Sequence, residues 1–176
     1  MTALLRVAIL GAESSGKSTL AAALARHYGT CWVPEYLREF VDVKGRVPRE
    51  ADQYVIAQTQ IARENAAAAQ ASRFLFCDTT PLMTALYSMV YWGRVDPGLA
   101  ALNAAHDYAF TFVTAPDGPW VPDGLQRESA ALRESVHRQV LAMLAARAIA
   151  FTLVAGDIEQ RLNSVLRILE ATPRQV

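Results

Sequence analysis

The sequence predicts a three-layer α/β/α domain on a five-stranded parallel sheet, and three observations predict it. Five short apolar runs alternate with helix-length segments. The first run ends on a glycine-rich loop that leads into a helix. The 176 residues are 52% hydrophobic and 19% charged, a composition that builds a core without disulfides or a structural metal.

Leu4 to Leu10 is rich in Leu, Val and Ile and stops at Gly11, the pattern of a strand buried on both faces. Thr19 to Tyr28 is rich in Ala and Leu and stops at Gly29, as a helix with a C-terminal glycine does. Thr30 to Val33, closed by Pro34, is the second strand. From Glu50 to Gln70, the residues Tyr54, Val55, Gln58, Ile61, Ala62 and Asn65 recur at helical spacing, giving one long helix with a partly polar stripe. Arg73 to Cys77 is the third strand, and Leu82, Leu86, Met89 and Val90 mark one face of the helix after it. Ala109 to Thr114 is the fourth. A Pro- and Gly-rich loop over 115–128 has the length of a lid, and a helix with Leu132, Val136, Val140, Met143 and Leu144 on one side follows it. Ile149 to Val154 is the fifth strand, and Ile158, Leu162, Val165 and Leu169 stripe the last helix. No linker or repeat divides the chain, so one domain over residues 1–176 is expected.

Seventeen basic side chains balance seventeen acidic ones, which argues against a nucleic-acid binder, because that affinity rests on excess Lys and Arg. Cys31 and Cys77 are too few for a disulfide framework or a four-ligand zinc site and read as small buried hydrophobes. The apolar start lacks a basic lead and a cleavage site, and the most apolar late stretch, 140–155, is broken by Arg147. A cytoplasmic chain with no membrane or nucleic-acid partner is the expectation. Homo-oligomerisation is left open.

Gly11-Ala-Glu-Ser-Ser-Gly16-Lys17-Ser18 matches G-x-x-x-x-G-K-[ST] at every fixed position, between a strand and a helix. In such a P-loop the backbone N–H groups of Gly11, Glu13, Ser14, Ser15, Gly16 and Thr19 surround phosphate oxygens at a helix N-terminus. Lys17 would bridge the β- and γ-phosphates, and Ser18 would ligate magnesium. The cofactors expected are therefore ATP and Mg2+. A guanine-reading Asn-Lys-x-Asp is absent, as is the Ser-Gly-Gly signature of transporter ATPases, and the length excludes a large mechanical ATPase. What remains is a small kinase whose acceptor sits opposite the P-loop across the strand ends.

Asp78 follows the third strand, where a carboxylate holds magnesium or takes the acceptor's hydroxyl proton; the competing role is an N-cap for the next helix. Glu35 follows the second strand and is the competing base, against a surface ion pair. Glu13 is either a solvated loop charge or functional. Arg38 and Arg127 are placed to meet phosphate, and the other arginines read as surface residues. Thr84, Tyr87 and Tyr91 share a helix face, with Tyr36 and Trp120 in flanking loops. Such aromatics either fill core or accept a flat cationic ring through cation–π attraction.

Taken together, GAESSGKSTL (11–20), PEYLREF (34–40), FLFCDT (74–79), PDGPWVPDGLQR (116–127) and the stretch 156–161 resemble the nicotinamide riboside kinase domain of NadR-type proteins. The resemblance implies transfer of the γ-phosphate of ATP to the 5′-hydroxyl of nicotinamide riboside, giving nicotinamide mononucleotide. On the residue reading above, Lys17, Asp78, Glu35 and Arg127 are the candidates for catalysis, and Tyr36, Arg38, Asp78, Tyr87, Tyr91 and Trp120 those that would meet the acceptor. Ser18 and Asp78 would hold the metal, and the resemblance implies that Arg161 lies near the adenine. The chain departs from the pattern at Leu125 and Gln126, which both stand between the Asp-Gly pair and Arg127. Neither the adenylyltransferase nor the repressor domain fused to this domain in many relatives is expected within these residues. Two alternatives share the cradle: a kinase of another nucleoside or small hydroxy metabolite, and an ATP-binding regulatory switch.

Overall fold

The computed structural model describes residues 4–119 and 129–172. Among these residues five strands, β1 (Leu5–Leu10), β2 (Trp32–Val33), β3 (Phe74–Asp78), β4 (Phe110–Thr114) and β5 (Thr152–Val154), form one sheet. The order is β2-β3-β1-β4-β5, and every pairing is parallel. The helices are α1 (Lys17–Tyr28), α2 (Tyr36–Lys44), α3 (Gln53–Ala68), α4 (Pro81–Trp92), α5 (Pro97–Ala105), α6 (Ala130–Ala146) and α7 (Ile158–Glu170).

Because side chains alternate along a strand, the continuous apolar runs feed two cores. Val7 and Ile9 of β1, with Phe74, Phe76 and Phe112, pack against Leu20 and Leu24 of α1 and Val165 and Leu169 of α7. Ala8 and Leu10, with Val113, pack on the other face against Leu82 and Leu86 of α4 and Val136, Val140 and Leu144 of α6. The central strand pairs Ile9 with Asp78 of β3 and Leu10 with Val113 of β4. That register sets the loop after Leu10 directly beside Asp78, at the carboxyl edge where open α/β sheets bind ligands.

The structure differs from the sequence expectation in four places. The fifth strand is only Thr152–Val154, because Ala148 turns the chain at φ 51° while Ile149 and Phe151 pack against the α6 core before pairing begins. The long helix begins with a separate 3₁₀ turn at Glu50–Asp52, where Asp52 accepts the Arg49 N–H at 2.7 Å and pairs with Arg46. Its buried face is Gln53, Ile56, Ala57, Gln60 and Glu64, one position round from the stripe read from sequence; Val55 of that stripe is exposed. Helices α2 and α5 were not foreseen. α5 carries a readable start, since Asp96 accepts the Gly98 and Leu99 N–H groups at 2.8 and 3.2 Å with Pro97 in the first turn.

Glu64 is 1% exposed. The Tyr108 hydroxyl donates to it at 2.9 Å and Arg6 lies at 3.7 Å, but burial outweighs both and raises its pKa to about 7. The folded chain therefore keeps a proton that the unfolded chain releases above its ordinary carboxyl pKa of 4.5. Stability from this group is full below that value and is lost as pH rises through 7. Two and a half units correspond to about 3 kcal/mol at most. Urea unfolding at pH 5, 6, 7 and 8 is expected to show wild type losing stability with pH, and Glu64→Gln losing the Glu64 share of that slope, so that its curve is flatter than wild type.

Candidate active site

Two glycines shape the P-loop. Gly11 has φ 149°, and a Cβ there would run into the Thr114 hydroxyl; Gly16 has φ 86° and caps α1. The Ser15 hydroxyl donates to the Ala12 carbonyl at 2.7 Å and shares a 2.6 Å hydrogen bond with the Thr114 hydroxyl, which ties the loop to the end of β4. Lys17 is buried and folds its ammonium back onto the Ala12 carbonyl at 2.9 Å. Glu13 is buried on the cavity wall, which excludes the solvated-charge alternative. Ser14 is half-buried, and Thr19 is exposed on the first turn of α1.

Asp78 is 1% exposed. Its Oδ2 accepts the Ser18 hydroxyl at 2.5 Å, while Oδ1 is buried with no hydrogen-bond partner among the described residues. The capping alternative for Asp78 is excluded: the cap of α4 is Thr80, whose hydroxyl oxygen accepts the Leu82 N–H. Thr79 between them has φ 71°, a left-handed conformation rare outside glycine and a mark of strain held at a functional edge. A hydroxyl beside a carboxylate with one unsatisfied oxygen is a hard-oxygen donor set that suits magnesium, which takes one or two carboxylates along with phosphate oxygens. Ser18 and Asp78 are the residues that would hold it.

Glu35, the N-cap of α2, points its half-buried carboxylate into the same place. Burial pushes the carboxyl pKa of both Glu35 and Asp78 above the ordinary range, and Lys17 pulls each back. Asp78 raises Glu35 further, because two carboxylates sharing one ammonium do not ionise independently. Arg38 lies 3.6 Å from Glu35 and is itself exposed, so that pair by itself adds little.

A cavity of about 600 Å³ opens between these acids and helices α3 and α4. Lys17, Glu35, Arg38 and Gln60 stand at its polar end, and Ile56, Met83, Tyr87, Tyr91 and Trp92 line the remainder. Tyr87 and Tyr91 stack with centroids 6.0 Å apart and planes 14° from parallel, so the aromatic stripe read on this helix faces the cavity. Tyr36 does not join the wall; its ring packs against Phe40 and beneath the Arg63 guanidinium at 4.5 Å. Trp120 and Arg127 lie outside the described residues. Sequence reading missed Gln53, Gln60 and Trp92. The first two were detectable as glutamines seven apart on the helix face that also carries Ile56 and Ala57.

Arg161 is 6% exposed and turned toward protein. Its Nε donates to the Gly156 carbonyl at 2.8 Å, Nη1 to the Ser15 carbonyl, and Nη2 to the Ala115 carbonyl at 2.9 Å and to Asp117. Asp117 also accepts the Gly156 N–H at 2.6 Å. One guanidinium thus joins the P-loop, the end of β4 and the start of α7, as a brace behind the cradle. Arg133, one of the arginines expected on the surface, is buried on α6 and donates Nη2 to the Pro116 and Gly118 carbonyls, fixing the same stretch from its other side. Among the described residues no helix is long and apolar enough to cross a membrane.

A family model described as an AAA domain matches residues 6–161. The chain is 32% identical over 126 residues to the trifunctional NAD biosynthesis/regulator protein NadR of Salmonella typhimurium (strain LT2), and 35% over 124 residues to that of Escherichia coli (strain K12). In each case 68% of this chain is covered, but the chain spans only 30% of the relative's length. Among solved structures, a NadR protein in complex with NR superposes with a TM-score of 0.83 at 18% identity, over 98% of this chain and 53% of that one. A deoxyadenosine kinase from M. mycoides gives 0.65 at 12% identity, over 96% and 100%. The motif resemblance and the curated relatives therefore point to the same proteins, and the structural neighbours share the fold.

The brace makes a testable claim about stability. Lys at position 161 keeps the charge but cannot reach four oxygens at once. Arg161→Lys is expected to lose roughly 3 kcal/mol in urea unfolding, from charge-assisted hydrogen bonds left unmade to buried carbonyls. Stability unchanged within error would show that the contacts are incidental.

Proposed function

The chain belongs to the AAA domain family, and from that premise we propose that it is a kinase transferring the γ-phosphate of ATP to the 5′-hydroxyl of nicotinamide riboside, with magnesium required. The observation that carries the proposal is the placement of Lys17, Ser18, Asp78 and Glu35 at the junction of a phosphate cradle and an aromatic-lined cavity. The NadR relatives support the choice of acceptor. One kinase domain over residues 1–176 is part of the same proposal.

In this reading the P-loop amides and the α1 N-terminus bind the ATP phosphates. Lys17 swings from the Ala12 carbonyl to the β,γ-oxygens and stabilises the charge that grows there. Ser18 and Asp78 would hold magnesium, which would supply neutralisation of phosphate charge. The riboside lies in the cavity with its ring between aromatic side chains and its 5′-hydroxyl toward Glu35. The hydroxyl oxygen bonds to the γ-phosphorus as the bond to the bridging oxygen of ADP breaks. The hydroxyl proton passes to Glu35, whose raised pKa suits a late proton transfer. Arg38 and Arg127 are assigned to the transferred phosphoryl group. A cationic pyridinium gains from the Tyr87–Tyr91 faces what a neutral base does not.

Steady-state kinetics with ATP and a nucleoside panel test this. Lys17→Ala is expected to cut kcat by roughly 10²-fold or more. Asp78→Asn should lower kcat steeply and raise the magnesium concentration needed for half-maximal rate. Glu35→Gln should act on kcat with the KM for ATP within about two-fold, as loss of a group used only in the transition state predicts. Nicotinamide riboside should exceed uridine in kcat/KM by about ten-fold, from one or two cation–π contacts. Equal kcat/KM for the two would favour a general nucleoside kinase.

A further inference from the structure

We infer that Gln60 is a positioning residue for Glu35: its side-chain carbonyl accepts the first N–H of α2 and so fixes the backbone from which the Glu35 carboxylate reaches the cavity. The catalytic consequence rests on the kinase reading; the cap does not.

The first N–H groups of a helix have no partner within it, and the N-cap side chain ordinarily supplies one. Glu35 is the N-cap of α2, with φ −61° and ψ 115°, yet its side chain makes no capping hydrogen bond. The Tyr36 N–H, the first of those donors, bonds to Gln60 Oε1 of a different helix, at 2.8 Å. Gln60 is 2% exposed, so water does not compete for that bond. The bond also decides which way the amide points, since a backbone N–H only donates and the atom facing it must be the oxygen. The Gln60 NH2 is turned toward the Glu64 carboxylate one helical turn on, whose charge it favours.

A glutamate that capped its own helix would fold its carboxylate over the first turn. Gln60 takes the Tyr36 N–H, the amide joined directly to Glu35, and so fixes the backbone from which the Glu35 carboxylate faces Lys17 and Asp78, whose charges act on it. Gln60 therefore couples α3, which is packed against α2 and β3, to the carboxylate at the reacting end of the cavity. One turn further along α3, Arg63 pairs bidentately with Glu39 of α2 at 2.7 Å on both oxygens, but that pair is exposed and holds the helix only loosely.

Three variants and one exchange measurement test the inference, using the whole chain with ATP and nicotinamide riboside. Gln60→Met, similar in size but without the oxygen, is expected to lower kcat by about ten-fold or more, with the KM for ATP within about two-fold. Gln60→Glu, which keeps an oxygen in place, should retain kcat within about five-fold. Because Gln60 acts through Glu35, the double variant Glu35→Gln with Gln60→Met should fall no lower than Glu35→Gln alone. In the wild-type protein, amide hydrogen exchange should show Tyr36 protected by about 10²-fold or more, unusual for a first-turn amide. Unchanged kcat in Gln60→Met, losses that multiply in the double variant, or fast exchange at Tyr36 would each overturn the inference. If Gln60→Met fails to fold, the Tyr36 exchange and the Gln60→Glu kinetics still decide. A wild-type protein that leaves the riboside untouched while protecting Tyr36 would overturn the kinase reading and leave the cap standing.

Discussion

A carboxylate buried at the edge of a parallel sheet costs several kcal/mol unless something offsets its charge, and the structure is arranged around that constraint at Asp78. Lys17 and the Ser18 hydroxyl are the first offsets, and both come from the turn that begins α1. They reach Asp78 only because β1 pairs with β3 in the register that opposes Ile9 to Asp78. The left-handed Thr79 and the Thr80 cap then turn the chain away into α4, which carries Tyr87 and Tyr91 to the opposite cavity wall. One buried charge thus ties together the cradle, the sheet register and the acceptor wall. Its unsatisfied Oδ1 is the feature that makes a divalent cation fit there.

The P-loop has few side chains of its own to hold its shape, so its rigidity comes from behind. Arg161 and Thr114 grip the Ser15 carbonyl and hydroxyl from α7 and β4. Arg133 and Arg161 converge on residues 115–118 from two different helices. Glu35 is held by α3 in the same indirect way. Asp78 and Glu35 sit at the ends of regular elements, next to buried polar contacts from α1 and α3. Such an arrangement keeps reacting groups in place without filling the cavity they face.

Much of this was legible in the sequence, for physical reasons that differ by element. The cradle was readable because G-x-x-x-x-G-K-[ST] leaves almost no alternative between a strand and a helix. Asp78 and Glu35 were readable as acids at the ends of apolar runs, and the structure sets their strands side by side. Tyr36 was not: a residue at the first position of an unforeseen helix projects outward, and its ring stacks on Phe40 and Arg63. Arg161 was read as lying near the adenine, but spacing says nothing of a guanidinium turned inward onto four oxygens from three segments. Gln60 escaped because hydrophobic periodicity assigns glutamines to solvent, whereas α3 buries three polar side chains toward the site and the sheet. Polar residues at a core spacing are the signal that periodicity alone discards.

The central claim is that the cradle and the cavity serve one transfer between them. Phosphorus NMR of the chain incubated with ATP, magnesium and nicotinamide riboside tests it most directly. The account predicts one phosphomonoester resonance, on the 5′-oxygen of the riboside, growing one for one with ADP. ADP accompanied only by inorganic phosphate, with the riboside recovered unchanged, would contradict it.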